Sequence, residues 1–118
     1  MKPIPHIDDA GHISFSSADP IKLRRGCSYK GQIDIPYAEL VQLLGEPTLA
    51  GDGYKTDAEW LVVTPEGPVW LYNYKDGTNY LGEDGTPTDR LRCWHVGARN
   101  QEAAKIILKV FELFEFFE

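Results

Sequence analysis

Trp94-His95-Val96-Gly97-Ala98-Arg99-Asn100 is the run in this chain whose residue types most suggest chemistry. It reads as the end of a strand passing into the start of a helix. A helix start presents unpaired backbone N–H groups and the positive end of the helix dipole, which together suit an anion. Arg99 would add a bidentate grip on a phosphate, and His95 a further donor. The same residues also fit an ordinary strand-to-helix turn with Arg99 in solvent and His95 packed, since a single glycine marks them. Lys55 and Lys75 border neighbouring elements. They would either bring more positive charge to such a pocket or sit in solvent as loop residues.

A second signal is aromatic. Three apolar runs read as strands, and their even positions hold Trp60 and Val62, then Trp70, Tyr72 and Tyr74, then Arg92 and Trp94. The odd positions hold Leu61 and Val63, then Val69 and Leu71, then Leu91 and Cys93. Side chains alternate faces along a strand. This reading gives the sheet an aliphatic odd face for helices and an aromatic even face that needs another cover. The N-terminal arm, a second subunit or a stacking ligand such as a nucleobase would each serve.

Catalytic patterns are sparse. His6, His12 and His95, with two cysteines far apart in sequence, show no zinc spacing. Nothing local marks Cys27 as an activated nucleophile. Gly82-Glu83-Asp84-Gly85-Thr86 lacks the Lys-Ser/Thr ending of a phosphate-binding loop. Asp52, Asp57 and Glu59 read as solvated loop acids rather than an acid–base pair. The expectation is a protein that is not an enzyme, with no catalytic residue, metal or cofactor. The candidate ligand-binding set is Lys55, Tyr72, Lys75, Arg92, Trp94, His95, Arg99 and Asn100.

The elements that must position these residues are few. Residues 1–21 read as an extended arm or edge strand, with a weak strand signal at His12–Phe15, and residues 22–118 as a single α+β domain. Ser28–Ile35 alternates as a strand. Tyr37, Leu40, Val41 and Leu44 fall at i, i+3, i+4 and i+7, one apolar stripe of a short helix opened by Pro36 and stopped by Gly45. Glu59–Thr64 and Val69–Lys75 are the strongest strands, joined by a Pro65–Pro68 turn, and Arg90–Val96 is another. Asp76–Asp89 is a long Gly- and acid-rich loop, of the kind that is functional or mobile. Asn100 then caps a final helix with Ala103, Ile106, Ile107, Val110, Leu113, Phe114 and Phe117 on one face. Phe111 and Phe116 exceed that face, so the helix is either buried on several sides or forms a dimer contact. The fold class is α+β: a small antiparallel sheet packed on one face by two helices, the longer one C-terminal.

Bulk charge bounds the partners. With 12 Lys and Arg against 18 Asp and Glu the net charge is −6, unlike a general binder of duplex nucleic acid. No apolar run approaches a membrane span. No signal-peptide pattern is visible, so two reduced thiols in a cytoplasmic setting are expected.

Longer stretches carry a resemblance. They are Gly26-Cys27-Ser28-Tyr29-Lys30-Gly31, Pro36-Tyr37-Ala38-Glu39-Leu40-Val41, Leu44-Gly45-Glu46-Pro47, Lys55-Thr56-Asp57-Ala58-Glu59-Trp60, Leu71-Tyr72-Asn73-Tyr74-Lys75 and Trp94 through Asn100. From about Gly26 to the C-terminus the chain resembles a family of small bacteriophage proteins, that of the first-described Thoeris anti-defence proteins. The resemblance implies a sponge that sequesters cyclic ADP-ribose signals of bacterial TIR-domain immune enzymes without cleaving them. It further implies homodimers or higher oligomers with sites at subunit interfaces, at work in the host cytoplasm. It carries over no binding residue by position. An acidic protein with this aromatic content also fits an anti-CRISPR-type inhibitor that blocks a nucleic-acid-binding host enzyme.

Overall fold

The two strongest sequence runs form an antiparallel hairpin, Glu59–Thr64 with Gly67–Tyr72, in which the Thr64 hydroxyl donates to the Gly67 carbonyl at 2.7 Å. The computed structural model describes residues 3–116, with side chains through Phe111. Around the hairpin, a mixed α+β fold assembles from β1 (Ile4–Ile7), β2 (Ile13–Ser16), α1 (Pro20–Arg24), β3 (Ser28–Asp34) and α2 (Tyr37–Leu44). Then come the hairpin strands β4 and β5, α3 (Thr78–Leu81), β6 (Cys93–Ala98) and α4 (Gln101–Phe116). The six strands make one sheet in the order β2-β1-β4-β5-β6-β3. Every pairing is antiparallel except β1 with β4, which is parallel.

The N-terminal segment belongs to this sheet. Its strands β1 and β2 form a hairpin whose turn is closed by Asp8, accepting from the backbone N–H of Ala10 and His12 at 2.9 Å each. Ile4 and Ile7 are buried, so β1 is a working part of the sheet.

Register decides which side chains share a face, because residues opposite one another across a pair point the same way. Trp60 faces Leu71 and Val62 faces Val69; Leu71 in turn faces Val96, and Val69 faces Ala98. Even positions of β4 and β6 therefore accompany odd positions of β5. The expected division into one aromatic and one aliphatic face is overturned: the tryptophans are split between faces. Trp60 and Trp94 lie on the helix side, both fully buried, edge to face with centroids 5.2 Å apart. Each indole N–H is satisfied, Trp94 donating to the Ile35 carbonyl at 2.8 Å and Trp60 to the Gly45 carbonyl at 2.9 Å. Trp94 is thus a core residue and presents nothing to a ligand.

Two helices cover this face. Leu40 and Leu44 of α2 and Ala103, Ala104, Ile107, Val110 and Phe111 of α4 are buried with Trp60, Val62, Val69, Leu71, Trp94 and Val96. The surplus Phe111 is accounted for within this core, while Leu113, Phe114, Phe116 and Phe117 lie outside the described side chains. Gly45 ends α2 with φ 82° and its N–H donating to the Val41 carbonyl, a conformation open to glycine at little cost. On the opposite face the five-residue α1, with no buried residue, lies over β4 and β5.

This assignment of faces predicts unequal mutational costs. Trp60→Ala and Trp94→Ala should each lose about 3–5 kcal/mol of unfolding free energy in urea titrations. Tyr74→Ala on the open face should stay within about 0.5–1 kcal/mol. Similar losses at all three positions would contradict the register.

Candidate functional site

On the face away from α4, β5 and β6 bring aromatic side chains into a continuous strip. Trp70 stacks on Tyr72 with ring centroids 3.8 Å apart, and Tyr72 meets His95 at 5.4 Å. His95 also lies 5.0 Å from Tyr29 on β3 and 5.3 Å from Tyr74, just beyond β5. His95 is therefore packed among three tyrosines. Burial lowers its pKa, against an opposing pull from the Asp76 carboxylate. Tyr72 is largely covered, whereas Tyr29 is 52% exposed and Tyr74 40%, so these two offer their rings to solvent.

Cations flank the strip at both ends. At one end Lys75 lies over Tyr74 at 5.3 Å and over Tyr80 at 5.4 Å; Tyr80 meets Tyr54 at 5.3 Å, and Lys55 lies over Tyr54 at 5.6 Å. The backbone forces this approach: the Lys75 N–H donates to the Lys55 carbonyl at 2.8 Å. Lys75 adopts φ 61°, a left-handed conformation that a lysine enters only under constraint. At the other end the Arg24 guanidinium lies 5.7 Å from the Trp70 ring centre. Ammonium and guanidinium groups over aromatic faces are attracted by the ring quadrupole.

Two acids expected in solvent are instead buried and fully engaged. Glu59 accepts from Arg24 at 3.0 Å, from the Trp70 indole N–H at 2.8 Å and from the Thr56 hydroxyl at 2.8 Å. A carboxylate loses its hydration on burial, and these three donors replace it. Asp57 accepts from the Asn73 amide at 2.8 Å and from the Asn79 backbone N–H at 3.1 Å. Asn73, also buried, accepts from the backbone N–H of Asp57 and Ala58 and donates to Asp76. This network fastens the long 76–89 loop, which holds α3 and two 3-10 turns, against the end of the sheet. Gly77 fits closely: a Cβ there would stand 2.0 Å from an Asp57 carboxylate oxygen.

The remaining sequence candidates do structural work. Arg99 is not at an anion pocket on the α4 N-terminus: its Nε donates to the Arg25 carbonyl at 2.8 Å and its Nη2 to those of Lys22 and Leu23. It thereby ties the C-terminal end of α1 to the end of β6. Asn100 caps α4, its Oδ1 accepting from the Ala103 N–H at 2.8 Å while its amide donates to the Glu66 carbonyl. Arg92 pairs with Asp34 at 2.6 Å on the exposed surface. The structure thus joins Lys55, Tyr72, Lys75 and His95, and removes Trp94, Arg99, Asn100 and Arg92 from that group. Tyr29, Tyr54, Tyr80 and Arg24 were missed, because their contacts cross between strand, loop and helix and leave no local spacing.

No family model, curated protein or solved structure matches the chain.

Neither thiol has the surroundings of an activated nucleophile. Cys27 donates to the Leu23 carbonyl at 3.5 Å, and burial pushes its pKa up against the pull of Arg99 and Lys30. Cys93 donates to the Gln32 side chain at 3.1 Å and is likewise raised, by burial and the carboxylates of Asp76 and Asp34. Among the described residues no helix is long and apolar enough to cross a membrane. What the strip offers is stacking area bordered by positive charge.

The packing of His95 has a pH signature. Its folded-state pKa is below the ordinary value of 6.5, so the unfolded chain binds the proton more tightly. Its contribution to stability is whole above about pH 6.5 and is lost as pH falls through the lower folded-state value. Urea midpoints at pH 7.5 and 5.5 should therefore differ more in the natural chain than in His95→Gln. An equal difference would place the titrating group elsewhere.

Proposed function

We propose that this chain is a non-catalytic binding protein whose aromatic strip captures a small phosphorylated nucleotide. The observation that carries this reading is the pair of half-exposed rings, Tyr29 and Tyr74, braced on either side of His95 with Lys75 at their border. Exposed tyrosines held by neighbouring rings are preorganised stacking platforms, and a base has a flat face to lay on them. Lys75 and Lys55 supply charge for a phosphoryl group at the loop end. The packing of His95 against the rings of Tyr29, Tyr72 and Tyr74 favours holding over cleaving.

The role we attach to this binding is phage counter-defence. The protein would sequester a cyclic nucleotide immune signal of the cyclic ADP-ribose type, as a homodimer or higher oligomer in the host cytoplasm, as the resemblance implies. The exposed acids Glu83, Asp84 and Asp89 of the 76–89 loop favour a second reading, an anti-CRISPR-type inhibitor of a basic host enzyme.

Incubation with a panel of cyclic nucleotides and cyclic ADP-ribose isomers, then heat denaturation and analysis of the supernatant, separates these readings. Intact ligand released on heating is the expected result. Altered ligand would make the protein an enzyme, and no retained ligand at any concentration would end the capture reading in favour of the inhibitor. For a retained ligand, Tyr29→Ala or Tyr74→Ala should weaken binding by about 5–150-fold, the equivalent of one lost base stack. Unchanged affinity in both variants would remove the strip from the site.

A further inference from the structure

The charge of this acidic chain is unevenly distributed. Lys22, Arg24, Arg25 and Lys30 fall within nine consecutive residues, and the fold brings Arg99 to them, five of the 12 basic residues in all. The Arg99 side chain also passes the α-carbon of Gly26, where a Cβ would stand 3.7 Å from its Cγ. The Lys30 ammonium donates to the Ser28 hydroxyl at 3.1 Å, one residue after Cys27. Of the five, Arg24 is committed to buried Glu59 and to the Trp70 face. Lys22, Arg25 and Arg99 are exposed, and no carboxylate pairs with them or with Lys30 in the described ion pairs. The two acids three residues from members of this set are engaged elsewhere, Asp19 accepting from the Ile21 N–H as the cap of α1 and Glu102 pairing with Lys105.

We infer that this corner, formed by α1, the Cys27 turn and the end of β6, is a second phosphoryl-binding site, at the opposite end of the strip from Lys55 and Lys75. Cations that repel one another persist in a fold where something else holds them, and here the holding is visible. The carbonyls of Lys22, Leu23 and Arg25 fix the Arg99 guanidinium, and the turn from Arg24 to Cys27, closed by a backbone bond at 3.1 Å, fixes the main chain that carries Arg25. The Arg99 charge and the backbone that carries Lys22 and Arg25 are therefore in place before a ligand arrives, which lowers the ordering cost of binding. At physiological salt the screening length is about 8 Å, so an anion at the corner feels these cations more than the overall negative charge. The assignment of the anion as a nucleotide's phosphoryl groups rests on the stacking-strip reading. Trp70 and Tyr72 continue from the Arg24 side chain toward Tyr29 and His95, giving ring and phosphate adjacent seats.

Pyrophosphate and ADP are suitable probes, titrated calorimetrically into the full chain at low and physiological salt. Pyrophosphate should bind at the corner, more weakly as salt rises. The double variant Lys22→Gln/Arg25→Gln, which alters side chains only and leaves the α1 carbonyls to Arg99, should lose at least about tenfold in affinity. Lys105→Gln/Lys109→Gln, at exposed positions of α4 across the sheet, should leave pyrophosphate binding unchanged. Absence of pyrophosphate binding, or equal affinity in the α1 variant, would overturn the corner site whatever the strip does. ADP binding tighter than pyrophosphate, with the gain lost in Tyr29→Ala, supports the two seats acting together. ADP binding no tighter than pyrophosphate would break the link to the strip and overturn the assignment of the anion to a nucleotide.

Discussion

The registers that β5 holds with β4 and β6 determine nearly everything else in this molecule. Because Leu71 stands opposite both Trp60 and Val96, the central strand gives its odd positions to the core and its even positions to the open face. A slip of one residue would exchange those sets, sending Trp70 and Tyr72 into the helices and Leu71 and Val69 into solvent. The hairpin turn between Thr64 and Gly67 holds the first register, and the Thr64 hydroxyl bond to Gly67 reinforces it. Two tryptophans sealed beneath α2 and α4 then make the alternative registers costly.

From that arrangement the open face follows. Glu59 emerges on it beside Trp70, and a carboxylate so placed needs donors. Arg24, Thr56 and the Trp70 indole supply them, drawing α1 down onto the sheet without any buried apolar contact from α1 itself. Arg99 secures the other end of the same short helix. The open face is thus assembled largely by polar and cation–aromatic contacts, while the opposite face is assembled by burial. A domain built this way can keep a wet, charged surface rigid, because its stability is supplied from the other side of the sheet.

Much of the fold was legible in the sequence. Hydrophobic spacing marked α2 and α4, Asn100 marked a cap, and the alternating runs marked the central strands. The faces were not legible, since parity along one strand says nothing about its neighbour until the register is known. Lys55, Tyr72, Lys75 and His95 stood out by residue type and position, and the fold gathers them. Trp94, Arg99 and Asn100 drew attention for sound chemical reasons, but backbone carbonyls and the core claimed them first. Asp57 and Glu59 misled because nothing in a lone acid announces buried partners up to thirty-five residues away. The cluster around α1 was missed for a related reason, as Arg99 reaches it from seventy-four residues downstream of Arg25.

The polar fastening of the 76–89 loop has a consequence for how the strip would meet anything placed on it. Asn73 and Asp57 hold the loop's first turn from inside the sheet, and Gly77 leaves no space between them. Tyr80, and with it one wall of the lysine end, is therefore already ordered in the free protein. Ordering a loop residue on association costs roughly 1–2 kcal/mol of backbone entropy. Here folding has met that cost beforehand, so a partner would find a finished wall, and its residence time would depend on contacts broken rather than on a flap reopening.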